Sequence, residues 1–206
     1  MFPSPEPADK AALRRVLRAR RKAVDASTRA VAGRALVRLA LRHRLLTRGS
    51  RIGLYFPAKG EIDVLPLLER AMKMGVQCYF PIVPARGKKK LWFSRLGKRP
   101  SWVLNRYGIP EHQHPLTARL RVKRLDLLFM PLLGFDLRGY RLGMGGGYYD
   151  ASLAHLKRFR AWKRPRVLGV AFSVQQVGRV PDDPWDIPLD GVLTEREYRQ
   201  FRPPAR

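Results

Sequence analysis

Cysteine is almost missing from this 206-residue chain, and the one present, Cys78, lies inside the apolar run VQCYFPIV. A lone thiol in apolar surroundings excludes a disulfide scaffold and a cysteine-built metal site, and it fits a reducing compartment. Long hydrophobic runs are missing as well. No stretch approaches the roughly 18 uninterrupted apolar residues of a membrane span, and the start MFPSPEPADKAALRRVL has no cationic opening followed by an apolar segment. A soluble, cytoplasmic protein with no membrane partner is expected. Acids are scarce: 16 stand against 42 Lys plus Arg, a net charge of +26. Such a field attracts polyanions in general, whether nucleic acid, a membrane surface or phosphorylated ligands.

The chain is long enough, and at 45% hydrophobic content apolar enough, to bury one real core. Its basic excess is unevenly placed. Residues 1–50 hold 13 Lys/Arg against 3 acids, residues 86–124 hold 12 against 1, and residues 157–166 hold 6 against none. The stretch 126–152 carries only two arginines beside three aspartates. Solvated, arginine-rich helix faces account for most of this pattern. A basic RNA-binding protein on an α/β scaffold is the alternative reading, and nucleic acid is otherwise expected only as a non-specific partner.

From Lys10 to Leu46 apolar residues recur every three to five positions, predicting two helices with Asp25 and Ser27 as breakpoint and N-cap and Gly49 as a stop. RIGLYFPA (51–58) reads as a strand, EIDVLPLLERAMKMG as a helix capped near Asp63 and closed by Gly75, and VQCYFPIV as the next strand. That order is a βαβ unit, which implies a parallel sheet. ARGKKK reads as an exposed turn and LWFSRL as a short strand. NRYGIPEHQHP reads as an irregular loop, because Gly108, Pro110 and Pro115 oppose regular structure. DLLFMPLLGFD (126–136) suits a strand buried on both faces, followed by the helix YYDASLAHLKRF, the strand RVLGVAFSV and a short last strand GVLTE. The expected fold is α/β: a single three-layer domain spanning 1–206, with a helical N-terminus and a mostly parallel sheet of five or six strands flanked by helices. Residues 1–9 and 199–206 are expected to fray.

The segment RLGMGGGYYD (141–150) sets four glycines between Leu142 and Tyr148. Glycines permit tight reversals, and they also let backbone N–H groups close on phosphate oxygens with no Cβ in the way. Known phosphate-loop patterns do not fit: no Gly-Lys-Ser/Thr follows, and G-x-G-x-x-G counted from Gly143 puts Tyr148 at the third glycine. Asp150 either stabilises the start of the following helix or coordinates Mg²⁺ beside a nucleotide, because hard oxygen ligands suit that cation. Ligands of open α/β sheets sit at the carboxyl ends of strands, which is where GEID places Glu61. A carboxylate there can accept hydrogen bonds from an amino-substituted ring, or serve only as a helix-entry acid. Tyr107 and Ile109 offer an aromatic and apolar wall or a packed loop, and Asp186 in PDDPWDIPLDG is a second acid near a strand end or a solvated turn.

KAALR (10–14), YFPAKGEID (55–63), YGIPE (107–111), FDLRGYRLGMGGGYYD (135–150), VAFSVQQV and DIPLDGVLTE occur together and in this order. So arranged, the chain resembles the 5-formyltetrahydrofolate cyclo-ligase family, also called 5,10-methenyltetrahydrofolate synthetase, over nearly its whole length. The resemblance implies a monomeric enzyme that uses MgATP to close 5-formyltetrahydrofolate into 5,10-methenyltetrahydrofolate, releasing ADP and phosphate; a MgATP-dependent member of the family with a different substrate is the further alternative. The formyl oxygen is phosphorylated and N10 then attacks the activated carbon, so no protein nucleophile is required. Carried over by position, Lys10, Arg14, Arg141, Leu142, Gly143, Met144, Gly145, Gly146, Gly147, Tyr148 and Tyr149 correspond to ATP contacts. Phe56, Glu61, Met144, Gly145, Gly146, Gly147 and Tyr148 correspond to folate contacts, and Asp150 and Asp186 to acids associated with Mg²⁺. Two positions depart from the family pattern: Met144 stands where a tyrosine or a basic residue is expected, and His112 where a proline is expected.

Overall fold

The computed structural model describes residues 9–58, 60–97, 100–112, 119–157 and 165–201. Residues 1–8 and 202–206, Pro115 and the end of the helix expected to reach 159 lie outside them. The first helix, α1 (Lys10–Lys22), is capped by Asp9, whose side chain accepts from Ala12 N, and its last turn is basic, as the helix dipole favours. The second, α2 (Ala26–Arg42), is capped by Asp25, which accepts from Thr28 N. Ser27 instead donates its hydroxyl to the Asp25 carboxylate, so of the two residues expected at this break the aspartate is the cap. Gly49 adopts a positive φ of 79°, but α2 has already ended at Arg42.

β1 (Arg51–Gly53), α3 (Leu65–Lys73) and β2 (Gln77–Ile82) form the expected βαβ unit, with β1 and β2 parallel. β1 is shorter than its apolar sequence suggests: after Leu54 donates to Tyr79 O, residues 55–58 leave the ladder. β3 (Trp92–Arg95) and β6 (Arg119–Arg121) extend the sheet antiparallel beyond β2. Between them β4 (Trp102–Leu104) and β5 (Pro110–His112) make a separate hairpin, where an irregular loop was expected. Pro110 stands at the first position of its strand, where it interrupts no ladder. Asn105 closes the turn by accepting from Tyr107 N and Ile109 N.

β7 (Leu127–Pro131) is the central strand, and it is followed by a second small hairpin, β8 (Gly134–Phe135) with β9 (Arg141–Leu142). The glycine segment therefore leaves that hairpin and not β7 directly. It enters α4 (Tyr148–Leu153), which continues as a 3-10 turn to Lys157. β10 (Arg166–Val170), β11 (Gly191–Leu193) and β12 (Tyr198–Gln200) complete the chain. β12 pairs antiparallel with β11 and Phe201 is buried, so the tail expected to fray from residue 199 is ordered through 201.

The main sheet has eight strands in the order β12-β11-β10-β7-β1-β2-β3-β6, more than the five or six expected, because short edge strands carry weak sequence signals. Its five central strands are parallel. Alternate residues of β7 feed opposite faces: Leu127 and Phe129 join α2 and α3 in one core, while Leu128 and Met130 join Leu153 of α4 in the other. The result is a single three-layer α/β domain with a helical N-terminus and a mostly parallel sheet.

α1 packs apart from both, setting Leu13 and Leu17 against Leu133, Leu142, Val177 and Val180. Gly134 permits this approach, since a Cβ there would stand 2.4 Å from Leu17 Cδ1. Among the described residues no helix is long and apolar enough to cross a membrane.

Leu17 is fully buried, and Leu17→Ala is expected to lower the unfolding free energy by about 2–5 kcal/mol, read from urea denaturation. Burial pushes the Cys78 thiol up to about 12. The native protein is therefore expected to stay unlabelled by a maleimide at neutral pH and to label fully in guanidinium.

Candidate functional site

The parallel strands present their carboxyl ends on one edge, and the connections from the neighbouring strands β1 and β7 run in opposite senses, β1 to β2 on one side and β7 to β10 on the other. At that switch point lies a cleft of about 570 Å³, within the range of small-molecule sites. Tyr55, Phe56 and Glu61 enter it from the segment after β1, Pro81 from β2 and Val83 just past it, Met130 and Pro131 from β7, and Lys10 and Arg14 from α1. Every residue singled out in the sequence as a site candidate lines this one cleft: Lys10, Arg14, Phe56, Glu61, the run from Arg141 to Asp150, and Asp186.

The β8–β9 hairpin delivers the glycine segment, and Asp136 holds the hairpin. Its carboxylate is fully buried. Oδ1 accepts from Arg138 N and Tyr140 N, both at 3.0 Å, and Oδ2 accepts from the Arg138 guanidinium and from Val180 N. Beyond Leu142 the backbone opens: Gly143 to Gly146 are exposed, and Gly145 and Gly147 have φ of 101° and 68°, a region a side chain strains to enter. Arg14 donates through Nε to Gly143 O at 3.0 Å, fixing the mouth of the loop to α1.

The cations around the loop are matched by acids. Lys10 Nζ lies 2.5 Å from Asp183 Oδ2 and 3.2 Å from Asp186 Oδ2. Partial burial opposes the ammonium charge, but these two carboxylates hold it above its ordinary value. Arg141, nearly enclosed, donates to Asp150 Oδ1 and to Ile187 O. Burial lowers its guanidinium, and Asp150 and Asp186 oppose that shift. Asp150 stands in the first turn of α4 and is partly exposed to the cleft.

The facing wall is aromatic: Phe56, Tyr107 and Tyr148 line the cleft, and Trp102 and Phe80 stand outside the lining as packing support. The Trp102 ring packs edge-on to Phe56 and Phe80, at 5.6 and 5.7 Å between centroids. Tyr107 and Tyr148 share a hydroxyl contact of 2.6 Å, and Arg106 donates to Tyr148 Oη at 2.7 Å and to Pro84 O at 2.8 Å. Glu111 Oε2 accepts from Val83 N at 2.9 Å, pinning the β4–β5 hairpin to the end of β2. His112 is buried with Nδ1 2.9 Å from Ser94 Oγ, so it serves hairpin packing and does not line the cleft. Met144 is exposed in the loop. Glu61 closes the floor: Oε2 accepts from Ala58 N at 3.1 Å. Burial raises its carboxyl, while the Ala58 amide and Arg21 oppose that shift. Burial also raises the neighbouring phenols of Tyr55 and Tyr149, and the Glu61 charge adds to it.

Sequence reading missed Trp102, Arg106, Asp183 and Arg21. For Arg21 a signal was present, a cation at the third position of the stripe Leu13, Leu17, Arg21. For Asp183 there was none beyond its place in a run of acids.

Fold and cleft define a single-domain α/β protein of the open-sheet class, whose switch-point site sets a bare-backbone loop with paired cations against an aromatic wall. More particularly, the chain belongs to the 5-formyltetrahydrofolate cyclo-ligase family, whose sequence model matches residues 6–195. The 5-formyltetrahydrofolate cyclo-ligase of Escherichia coli K12 is 30% identical over 179 residues, covering 87% of this chain and 96% of that protein. The mouse protein of the same name is 28% identical, covering 90% and 93%. The solved 5,10-methenyltetrahydrofolate synthetase of Aquifex aeolicus superposes with a TM-score of 0.75 at 28% identity, covering 96% of this chain and 94% of that one. That of Mycoplasma pneumoniae gives 0.68 at 25%, covering 91% and 99%.

Asp136 is buried, and five donor contacts converge on it. Asp136→Ala is expected to destabilise the fold by about 3–5 kcal/mol in denaturant titration, because it strands Arg138 and three backbone amides.

Proposed function

We propose that this protein catalyses the ATP-dependent cyclisation of 5-formyltetrahydrofolate to 5,10-methenyltetrahydrofolate, with release of ADP and phosphate. The observation that carries this reading is that one cleft holds two unlike halves: a glycine loop flanked by Lys10, Arg14 and Arg141, and an aromatic wall with the enclosed carboxylate of Glu61. The first half suits a polyphosphate. The second suits a flat ring bearing N–H donors.

In this reading Lys10, Arg14 and Arg141, with the run from Leu142 to Tyr149, take the ATP. Phe56, Glu61, Met144 and the segment Gly145 to Tyr148 border the folate, with Glu61 accepting from the pterin ring. Asp150 and Asp186 are the acids for Mg²⁺. Among the described residues no group of three or more His, Cys, Asp or Glu forms a dedicated metal cage. Mg²⁺ that arrives on phosphates needs only one or two carboxylates. Oδ2 of Asp150 and Oδ1 of Asp186 make no hydrogen bond among the described residues, so the donor set fits. When bound, that cation would neutralise phosphate charge.

The formyl oxygen attacks the γ-phosphorus and ADP departs. N10 then attacks the formyl carbon, and phosphate leaves with the former formyl oxygen and the N10 proton. The chain's part is to align the two substrates and offset charge on the transferred group. The same reading takes the protein as a cytoplasmic monomer acting on small molecules.

Purified protein with 5-formyltetrahydrofolate and MgATP is expected to build up the methenyl absorbance band only when ATP is present, and absence of that product overturns the proposal. Asp150→Ala is expected to lower kcat by roughly 100-fold with the fold retained. Arg14→Ala is expected to raise the KM for ATP about tenfold, measured in the same assay.

A further inference from the structure

Glu61 is supported from behind by residues outside the cleft. Arg21 ends the buried stripe of α1, and its Nη1 stands 3.7 Å from Glu61 Oε1; the two side chains are only 5% and 13% exposed. Arg29 of α2 fixes the backbone on both sides of this pair. Its guanidinium donates to the carbonyls of Arg21, Lys22 and Val24 at the end of α1 and of Gly60 beside Glu61. It also lies over the Phe172 ring, 5.3 Å from the centroid. One planar fork therefore ties the residue carrying the cation to the residue preceding the carboxylate.

We infer that Arg21 is a positioning residue: braced by Arg29, it holds Glu61 as an oriented anion facing the cleft. This rests on the cyclo-ligase reading only in taking Glu61 as the folate contact. A carboxylate enclosed with one backbone donor is costly to keep charged unless a cation faces it. Tyr55 of the post-β1 segment and Tyr149 of α4 both adjoin Glu61, and burial holds both neutral. Of these two, Asp63 acts on Tyr55. Arg21 also lines a second cavity of about 450 Å³, with Arg18, Lys22, Arg29, Gly60 and Met144 and no acid among them.

Arg21 favours the ionised form, so its loss raises the pH at which Glu61 ionises. In Arg21→Met the KM for 5-formyltetrahydrofolate is expected to rise about tenfold near neutral pH and to fall back as pH increases, with the KM for ATP unchanged. Arg21→Lys, which keeps the charge, is expected to stay within about threefold of the wild type. In a Glu61→Gln background Arg21→Met should add nothing. The carbon-13 signal of the Glu61 carboxyl, titrated without substrate, should move to higher pH in Arg21→Met; this holds or fails independently of the reaction proposed. Arg21→Gln supplies the same comparison if the methionine variant does not fold. An unmoved Glu61 titration overturns the inference, as does a loss of folate affinity that persists at high pH or in the Glu61→Gln background.

Discussion

The seating of α1 against the β8–β9 hairpin is the contact on which the cleft depends. Leu13 and Leu17 fix the rotation of the helix about its axis, and that rotation sends Lys10 and Arg14 toward the loop while Arg21 goes to Glu61. With 3.6 residues per turn, a slip of one residue would turn the helix by about 100° and carry all three cations out of reach. The close approach that prevents such a slip needs Gly134 on the opposite side. The helix that the sheet requires least is thus the one the site requires most.

The loop itself is held at a distance. It springs from a two-residue ladder locked by Asp136, and Leu142 roots it in the same small core that receives Leu17. α1 and the loop therefore share one foundation, and the contact between Arg14 and Gly143 O joins two elements already in register. The aromatic wall has a separate foundation, the β4–β5 hairpin pinned by Glu111 to Val83 N. In the cyclo-ligase reading the glycine loop borders both substrates, so nucleotide and folate share the foundation of α1 and the loop, and the hairpin supports only the aromatic side facing it.

Much of this was legible in the residues. The parallel core followed from apolar runs alternating with helical periodicity, and the cleft residues followed from the glycine segment together with the family resemblance. What escaped reading was short or borrowed. β12 and β6 are three-residue strands whose order comes from pairing to a formed sheet, and intrinsic preference cannot reveal that. The β4–β5 hairpin hid behind Pro110 and Gly108, which read as breakers but serve as strand start and turn. Arg21 counted as one more charge in a basic run until the packing of α1 showed it buried, and Asp183 gained a role only through its partner Lys10, which is distant in sequence.

Lys10 with Asp183 and Asp186, and Arg141 with Asp150, keep the cleft close to electroneutral inside a strongly basic protein. A magnesium nucleotide is itself a paired assembly of cation and anion. In the proposed reading its entry would be an exchange of partners: Lys10 and Arg141 would turn from carboxylate to phosphate, and Asp150 and Asp186 would become available to the metal. The protein's own side chains thus pair with one another in the way that the proposed ligand's charges would pair with them.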